Sequence, residues 1–591
     1  MAGPPHAAGR IGRAEALCVL ALSGAFVAQA VWAMAQQGAT FDETAHLPAG
    51  YSYLATNDHR LNPEHPPLAK LIAALPLTAL SGLRFSTAWP EWQAGEQFQL
   101  GARFLYVENS PTQLLFWGRV PIVLLTCLLG VTVWRWTRDL AGRAAGLSAL
   151  GLFCFTPELL AHGALVTTDA PVSAFVFVAF YAAFRATRRL GPGAVVACGV
   201  AWGAALASKF SALIFSPILP LALLARAASA EPLTLVLPRR SERLLVDRPQ
   251  RARALGAAAA LSALLAWGTL WLAYGFDAGS SASATRGAGL SAELAHTFER
   301  VQSFGILPAA YVQGLASATA SASVRYSFLL GRVSIHGFTY YFVITPLVKM
   351  PLPVLFLLTW GVGHALHGIR RGRPGYALLL VPAVVYYAAS LNGRLNIGHR
   401  HLLPMYPFLF VLAGSAAAVL WKRKLKAALG LVLSAWLLVG TVAVAPNYLT
   451  YFNELGGGPR GGLSIVVDSN LDWGQGLPAL KRWMDDARVS RIYLSYFGSA
   501  WPEAYGIDYV ALPSFFPLQR PAASHIDLAQ AQYIAISATN LQHVYLDGSA
   551  PKELSQFFDH LRTAREPEAI VGNSIYVYRL RKRGSEAPGQ R

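Results

Sequence analysis

Apolar residues collect into long runs over the first three quarters of the chain, separated by polar or basic segments. A helix of about 20 apolar residues crosses a hydrocarbon core of about 30 Å, and soluble cores seldom need such length. The pattern therefore predicts an α-helical polytopic membrane protein with about eleven transmembrane helices. The predicted spans are 15–35, 112–134, 144–161, 170–186, 192–208, 211–227, 254–275, 341–366, 375–391, 402–421 and 426–446.

Beyond the last run the pattern changes to short segments typical of a small α/β domain. Strands are predicted at LSIVVDS, RIYLSYFG, AQYIAIS and NSIYVYRL, and helices at GLPALKRWMDD and PKELSQFFDHL. The change predicts two domains. A membrane domain covers residues 1–446, and a soluble extracytoplasmic α/β domain covers residues 447–591.

Two long polar segments lie between predicted spans on the outer side. The external loop 36–111 contains PPLAKLIAALPLTALSGL and GEQFQLGARFLYVEN, which are too short to span and predict interfacial helices. The second loop runs from Phe276 to about Tyr340. It opens with SSASATRGAG, expected to be flexible, and continues with the helix-like SAELAHTFERVQSFG.

Composition agrees with a membrane protein, because 54% of the residues are hydrophobic and only 14% are charged. The net charge is +18, and the Lys and Arg clusters fall in alternate loops, which predicts that those loops are cytoplasmic. The N-terminus is then cytoplasmic and the C-terminal domain extracytoplasmic, in a multi-pass protein of the bacterial inner membrane. Basic loops facing anionic lipid explain the charge without nucleic acid. These clusters are Arg10 and Arg13, Arg135 to Arg143, Arg185 to Arg189, Arg239 to Arg253, Arg370 to Arg373, and Lys422 to Lys426.

Candidate metal chemistry is limited. All four cysteines lie within predicted spans, so neither a disulfide framework nor a cysteine metal site is expected. The histidines lack the HxxxH spacing of a zinc-binding helix. A hard divalent cation held by Asp42, Asp169 and a phosphate stays open, and no cofactor is assigned with certainty.

Acidic residues stand at the outer ends of the predicted spans. Asp42 and Glu43 follow the first span, and Glu158 and Asp169 lie between the third and fourth. Ionisable groups at the edge of an apolar bundle are costly and usually functional, and a carboxylate there can act as a general base. The alternative for the first pair is a solvated loop or a helix cap.

Positive charge on the same side would suit a phosphate leaving group. For the arginines the alternative is snorkelling to the membrane surface, whereas a lysine inside an apolar run calls for a partner or a phosphate. Histidines nearby are candidates for substrate contacts. The phosphate-binding candidates are Lys209, Lys349 (inside the eighth span), Arg394 and Arg400, and the histidines are His46, His65, His162 and His399.

Several motifs resemble one family. FDETAHLPAGYSYL and LNPEHPPLAKLIAALP are similar to the first outer loop of phospholipid carrier-dependent glycosyltransferases, the bacterial relatives of protein O-mannosyltransferases and of lipid A aminoarabinose transferases. The resemblance continues through TTDAP, ASKFSAL, PLVKMPLP, NIGHRHLLPMYPF and FNELGGGPRGG to VDSNLDWGQGL, and so extends over most of the chain. It implies a GT-C type fold with an external active-site cavity. The implied partners are a sugar linked to polyprenyl phosphate, and membrane lipid.

The resemblance also implies roles for particular residues. Asp42 matches the catalytic base that deprotonates the acceptor, with Glu43 as its neighbour and Asp169 as the second acid. Lys209 and Arg400 would bind the carrier phosphate. One base and a single displacement predict inversion at the anomeric carbon. The acceptor stays open among glycan, lipid and protein, and the absence of a MIR-type module from the sequence makes protein the least secure of the three.

Two other function classes remain open at this point. A transporter or flippase for an anionic lipid-linked substrate would also need many spans and buried cations. No inverted repeat is visible, however, and the polar loops gather on the outer side. A membrane scaffold, whose external domain binds partners, is the third possibility.

Overall fold

The computed structural model describes residues 10–229, 231–236, 241–277, 290–322, 325–516, 531–546 and 552–580. Within these ranges, nine helices are long and apolar enough to cross a membrane. Two shorter apolar helices, Arg143–Cys154 and Pro192–Leu206, fall on the two remaining predicted spans. The predicted multi-pass helical architecture is confirmed. The nine helices are Arg13–Met34, Pro111–Ala141, Asp169–Arg188, Phe210–Ala228, Arg248–Ala273, Leu352–Arg370, Pro374–Leu391, His399–Lys422 and Lys424–Val444.

The predicted span 341–366 is not one helix. It divides into Tyr341–Lys349 and Leu352–Arg370 because Met350, which precedes a proline, has an extended backbone. Lys349 therefore ends a short helix. The prediction that this lysine lies inside a membrane span was wrong.

The first outer loop contains several short helices, as predicted for its apolar segments. One buried lysine, Lys70 of the helix Leu68–Ala74, connects this helix to Glu43–Thr56 and to the turn at residues 62–65. Its Nζ donates to Tyr53 Oη and His65 O, each at 2.8 Å, and to Asn62 O and Oδ1 at 2.8 and 3.1 Å. The loop is therefore fixed by hydrogen bonds as well as by apolar contacts. Its helices are Glu43–Thr56, Leu68–Ala74, Leu75–Ala79, Pro90–Ala94, Gln97–Ala102 and Arg103–Val107.

The remaining loops add helices and two small sheets. In the second outer loop, SAELAHTFERVQSFG forms the predicted helix, whereas the predicted flexible segment SSASATRGAG lies outside the described residues. The basic loop predicted at 239–253 is described from residue 241 onward. The elements are the helices Ala292–Ser303 and Ala309–Ser321, the hairpin Ser327–Leu329 and Arg332–Ser334, and the strands Arg189–Leu190, Leu233–Val236 and Glu242–Leu245.

The C-terminal α/β domain is also confirmed. Its described part holds a five-stranded mixed sheet in the order Tyr509–Ala511, Ile492–Ser495, Tyr533–Ser537, Ile575–Arg579 and Ala569–Val571. The first three strands are parallel, and the last two pair antiparallel. Both predicted helices are present, as Leu477–Asp486 and Lys552–Ala564.

The strand predicted at LSIVVDS was wrong. The segment forms single turns at Gly462–Ser464 and Asp468–Asn470 instead. Asp468 has φ of 57°, a left-handed conformation that ends any extended pairing. Val466 and Val467 are buried in the same apolar core as the membrane helices, so this apolar run serves packing between the two domains.

Backbone hydrogen bonds attach the C-terminal domain to the start of the first outer loop. Phe41 N donates to Trp473 O at 2.8 Å, and Gly38 N donates to Gln475 O at 3.0 Å. Ser499 Oγ donates to Phe41 O at 2.8 Å. The segment that carries Asp42 is therefore held between the first span and the C-terminal domain.

Lys70→Met should destabilise the first outer loop. The aliphatic stem remains, but buried acceptors on Tyr53, Asn62 and His65 lose their donor, at a cost of about 1–3 kcal/mol. We expect a lower thermal midpoint in detergent and faster proteolysis within residues 58–67. Lys481→Met is the matched control, because among the described residues Lys481 forms an ion pair with Asp485 alone, on a surface helix. Equal midpoints for the two variants would contradict the role of Lys70.

Candidate active site

One guanidinium contacts two carboxylates at the centre of the site. Arg400 Nη1 lies 3.3 Å from Asp42 Oδ2 and 3.0 Å from Asp169 Oδ2. Lys209 Nζ lies 2.5 Å from Asp169 Oδ1. These four side chains form what we call the central cluster. They come from four separate segments of the chain, each next to the end of a span predicted from the sequence.

Each member of the central cluster lies at or beside the start of a helix. Helix starts offer backbone N–H groups and favour anions, so the surroundings suit an anionic ligand. Asp42 precedes Glu43–Thr56, Asp169 opens Asp169–Arg188, Lys209 precedes Phe210–Phe215, and Arg400 belongs to His399–Met405.

The two carboxylates differ in what they can still bind. Asp169 is fully buried, and its oxygens are occupied by Lys209 and Arg400. The side chain of Asp42 is 20% exposed. In the described part of the chain only its Oδ2 has a charged partner, and Oδ1 has no hydrogen-bond partner. Asp42 is therefore the carboxylate of the cluster that an incoming group can reach.

Residues of the C-terminal domain hold Arg400 in place. Its guanidinium carbon lies 4.1 Å from the ring centroid of Trp473, a cation–π contact. Its Nε donates to Ser469 Oγ at 3.1 Å, and Ser469 Oγ donates to Ile397 O at 2.8 Å. Sequence reasoning missed Ser469 and Trp473. The available signal was the family resemblance of the segment VDSNLDWGQGL, which contains both residues but assigned a role to neither.

Glu43 adjoins Asp42 in sequence but belongs to a separate buried network. Arg119 Nε and Nη2 donate to its two oxygens at 2.8 and 2.6 Å, and the N–H groups of Thr40 and Val166 donate at 2.9 Å each. Burial opposes the charge of Glu43, but Arg119 and these donors outweigh it and hold its pKa below the usual value. Sequence reasoning missed Arg119, although it is the one charged residue of the run 112–134.

Lys349 lies in a second buried cluster and not in the central one. Its Nζ is 2.9 Å from Glu158 Oε1 and donates to Leu449 O and Asn470 O at 2.8 and 2.7 Å. His162 Nε2 is 3.3 Å from the other Glu158 oxygen. The charge and the hydrogen-bond donors of the Lys349 ammonium group are therefore already paired inside the protein.

The remaining predicted histidines are also buried or partly buried. His399 contacts Thr345 Oγ1 through Nδ1 at 3.1 Å, and its Nε2 contacts the Tyr406 hydroxyl. His46 and His65 meet edge to face, with ring centroids 5.1 Å apart. Burial lowers the pKa of His46 to about 4 and that of His65 well below its usual value. Both imidazoles are thus neutral at pH 7 and can offer hydrogen bonds but no positive charge.

Arg394 stands apart from both clusters. Its side chain is exposed in the loop before His399, and it has no ion pair with any described residue. Its predicted contact with a carrier phosphate stays a prediction.

Two further carboxyl groups lie behind the central cluster. Asp468 Oδ2 accepts from Tyr545 Oη at 2.5 Å, and Asp472 Oδ2 accepts from Thr539 N at 3.1 Å. Burial raises the pKa of Asp468 to about 6 and that of Asp472 to about 7. Asp468 itself lies in a turn, with a left-handed φ of 57°.

The divalent cation expected between Asp42, Asp169 and a phosphate stays a prediction. No group of three His, Cys, Asp or Glu side chains converges anywhere in the described ranges. Asp42 and Asp169, the expected ligands, already face Arg400 and Lys209, and a cation would have to displace these positive groups.

Comparison with known families gives a match over residues 113–237, about a fifth of the chain, to the model described as dolichyl-phosphate-mannose-protein mannosyltransferase. The predicted resemblance to carrier-dependent glycosyltransferases is confirmed. The matched segment includes Asp169 and Lys209, whereas Asp42 and Arg400 lie outside it. None of the curated proteins matches the chain.

The chain is similar to several solved structures. Apo ArnT from Cupriavidus metallidurans has a TM-score of 0.45 and 13% identity, over 95% of this chain and 98% of that one. The same protein bound to undecaprenyl phosphate has a TM-score of 0.41 and 11% identity, over 95% and 97%. The apo oligosaccharyltransferase of Archaeoglobus fulgidus has a TM-score of 0.43 and 12% identity, over 89% of this chain and 70% of that one.

Lys349→Met should destabilise the protein strongly. Glu158 would keep a buried charge without its cation, at a cost of about 3–5 kcal/mol. The double variant Lys349→Met/Glu158→Gln removes both charges and should recover most of the thermal midpoint measured in detergent. A double variant no more stable than the single one would contradict a paired structural role.

Proposed function

We propose that this protein is a membrane glycosyltransferase that moves a sugar from a polyprenyl-phosphate donor to an extracytoplasmic acceptor, with inversion. The observation that carries the proposal is the central cluster, where an accessible carboxylate, Asp42, contacts Arg400, and Arg400 shares Asp169 with a second buried cation, Lys209. The family match over residues 113–237 supports the transferase class. The acceptor is a glycan, a lipid or a protein.

Lys209 and Arg400 are assigned to the carrier phosphate. Their positive groups sit where bulk water has little access, so they interact strongly with an anion. Asp169 contacts both cations and is assigned to keeping them next to each other at the phosphate site. In this role Asp169 is a positioning residue, since its own oxygens are already occupied.

Asp42 is assigned as the general base. Its Oδ1 takes the proton of the acceptor hydroxyl while the hydroxyl oxygen bonds to the anomeric carbon. The bond from that carbon to the phosphate oxygen breaks, and the leaving phosphate keeps the electron pair, stabilised by Lys209 and Arg400. A single displacement of this kind inverts the anomeric configuration. Glu43, fixed by Arg119, holds the backbone beside Asp42.

Charge supports the assigned location. The central cluster lies at the ends of predicted spans opposite to those that carry the Lys and Arg clusters, which favours a reaction on the extracytoplasmic side of the bacterial inner membrane. A carrier embedded in the bilayer presents its phosphate at that level.

Asp42→Asn should reduce sugar transfer by at least about a hundredfold, because the amide cannot accept the proton. Radiolabelled polyprenyl phosphosugars and a panel of acceptors provide the assay, and NMR of the parent's product reads the anomeric configuration. Carrier binding should not weaken, because Asp42 competes with the carrier phosphate for Arg400, and the thermal midpoint should stay close to that of the parent.

Asp58→Asn is the matched control, an acid of the same loop whose partner Arg60 is exposed. Normal transfer by Asp42→Asn would refute the assigned base, and a retained configuration would refute the single displacement. Loss of transfer in both variants would point to the loop and not to Asp42.

Lys209→Ala should weaken donor binding by about tenfold to a hundredfold, the usual effect of losing one charge-assisted hydrogen bond. Asp169 would keep Arg400 as its partner, so the fold should survive. Donor titration by fluorescence or filter binding gives the measurement, and Lys209→Arg should restore part of the affinity. Unchanged donor affinity in the alanine variant would remove Lys209 from the site.

A further inference from the structure

An apolar groove lies among membrane helices, lined by none of the residues of the central cluster. It has a volume of about 460 Å³ and is lined by residues of Arg13–Met34, Arg143–Cys154, Leu352–Arg370, His399–Lys422 and Lys424–Val444. Its side chains are almost all apolar, and Leu438 and Trp421 on its wall are exposed. The groove is therefore open toward the bilayer.

The few polar groups of the groove are already paired. Trp421 Nε1 donates to Ser148 Oγ at 3.0 Å, and Ser434 Oγ donates to Gly430 O at 2.8 Å. Gly151 has open space where a Cβ would stand. A ligand in the groove would therefore meet an apolar surface with no polar group awaiting a partner, as an acyl chain requires.

One end of the groove carries exposed cations. Trp421, on its wall, precedes the exposed basic run 422–424, and Ala144 follows Arg143, whose side chain is 61% exposed and also pairs with the buried Glu15 at 3.1 Å. These residues belong to loops predicted to be cytoplasmic, and the central cluster does not use them. Cations at the membrane surface attract anionic headgroups, so the rim complements a negative lipid.

The length of the groove matches one leaflet. From Ala144 to Phe155, both on its wall, the chain advances about 16 Å at helical rise. Half of a hydrocarbon core of about 30 Å is about 15 Å. The central cluster lies at span ends predicted to be extracytoplasmic, so a carrier bound there would have to enter the groove from the extracytoplasmic leaflet.

We propose that this groove binds an anionic diacyl phospholipid of the cytoplasmic leaflet. One acyl chain lies along Arg143–Cys154 between Gly151 and Leu437, and the phosphate headgroup lies at the cations of residues 143 and 422–424. The site is independent of the proposed transfer reaction.

Two variants test the site from its two ends. Gly151→Leu fills the groove where space is open, and Gly256→Leu is its matched control, a half-buried glycine with equally open space on Arg248–Ala273. Lys422→Gln/Arg423→Gln/Lys424→Gln removes the rim charge, and Arg243→Gln/Arg248→Gln/Arg253→Gln is its control, removing three exposed arginines of the segment 241–253, which does not line the groove.

The full-length protein is reconstituted in vesicles of equal parts phosphatidylglycerol and phosphatidylcholine, and native mass spectrometry counts the lipids retained. We expect the parent to retain phosphatidylglycerol preferentially. Retention should fall about tenfold in Gly151→Leu and in the 422–424 variant, with little change in the controls.

Three results would overturn the proposal. The first is that the parent retains phosphatidylglycerol and phosphatidylcholine equally. The second is that Gly151→Leu and Gly256→Leu retain equal amounts of phosphatidylglycerol. The third is that Gly151→Leu loses a co-purified polyprenyl phosphate instead of a phospholipid. The 422–424 variant changes only exposed side chains, so it tests the site even where Gly151→Leu folds poorly. Unchanged phosphatidylglycerol retention in that variant would likewise contradict the headgroup position.

Discussion

The pairing of Arg400 with two carboxylates is the constraint on which the site depends. Asp169 is fully buried, and Arg400 contacts it from 231 residues further along the chain. A buried charge is tolerated only when it is paired and hydrogen-bonded, so the helices that carry these residues must meet at this point. Apolar packing alone would allow the helices to slide, whereas the ion pairs fix where their outer ends lie.

The C-terminal domain takes part in this constraint. Trp473 and Ser469 hold the guanidinium of Arg400, and Trp473 O accepts from Phe41 N, next to Asp42. Residues 448–473 contribute side chains to the same apolar core as the membrane helices. A change in the α/β domain can therefore alter the geometry of the central cluster without any contact to a substrate.

Periodicity and charge predicted most of the architecture, because a membrane span is a local property of about 20 residues. They also identified Asp42, Asp169, Lys209 and Arg400, which stand out as ionisable groups at span ends. Periodicity and charge could not distinguish Lys349 from these four residues of the central cluster. Its charge is equally conspicuous in sequence, and only the fold brings Glu158 within 2.9 Å of it. The strand predicted at LSIVVDS failed for a related reason, since an apolar run signals burial but not the surface that buries it.

The central cluster holds two carboxylates and two cations, and so it is electrically balanced before any ligand arrives. Under the proposed function, a donor phosphate must compete with Asp42 and Asp169 for the nitrogen of Arg400. Asp169 keeps Lys209 as a second partner, whereas Asp42 has Arg400 alone among the described residues. The phosphate therefore displaces Asp42 more easily than Asp169. Donor binding then releases Asp42, the carboxylate that must accept the proton, from its ion pair with Arg400. Asp42 can therefore act as a base only when the donor site is occupied. This order disfavours deprotonation of the acceptor before the donor is bound.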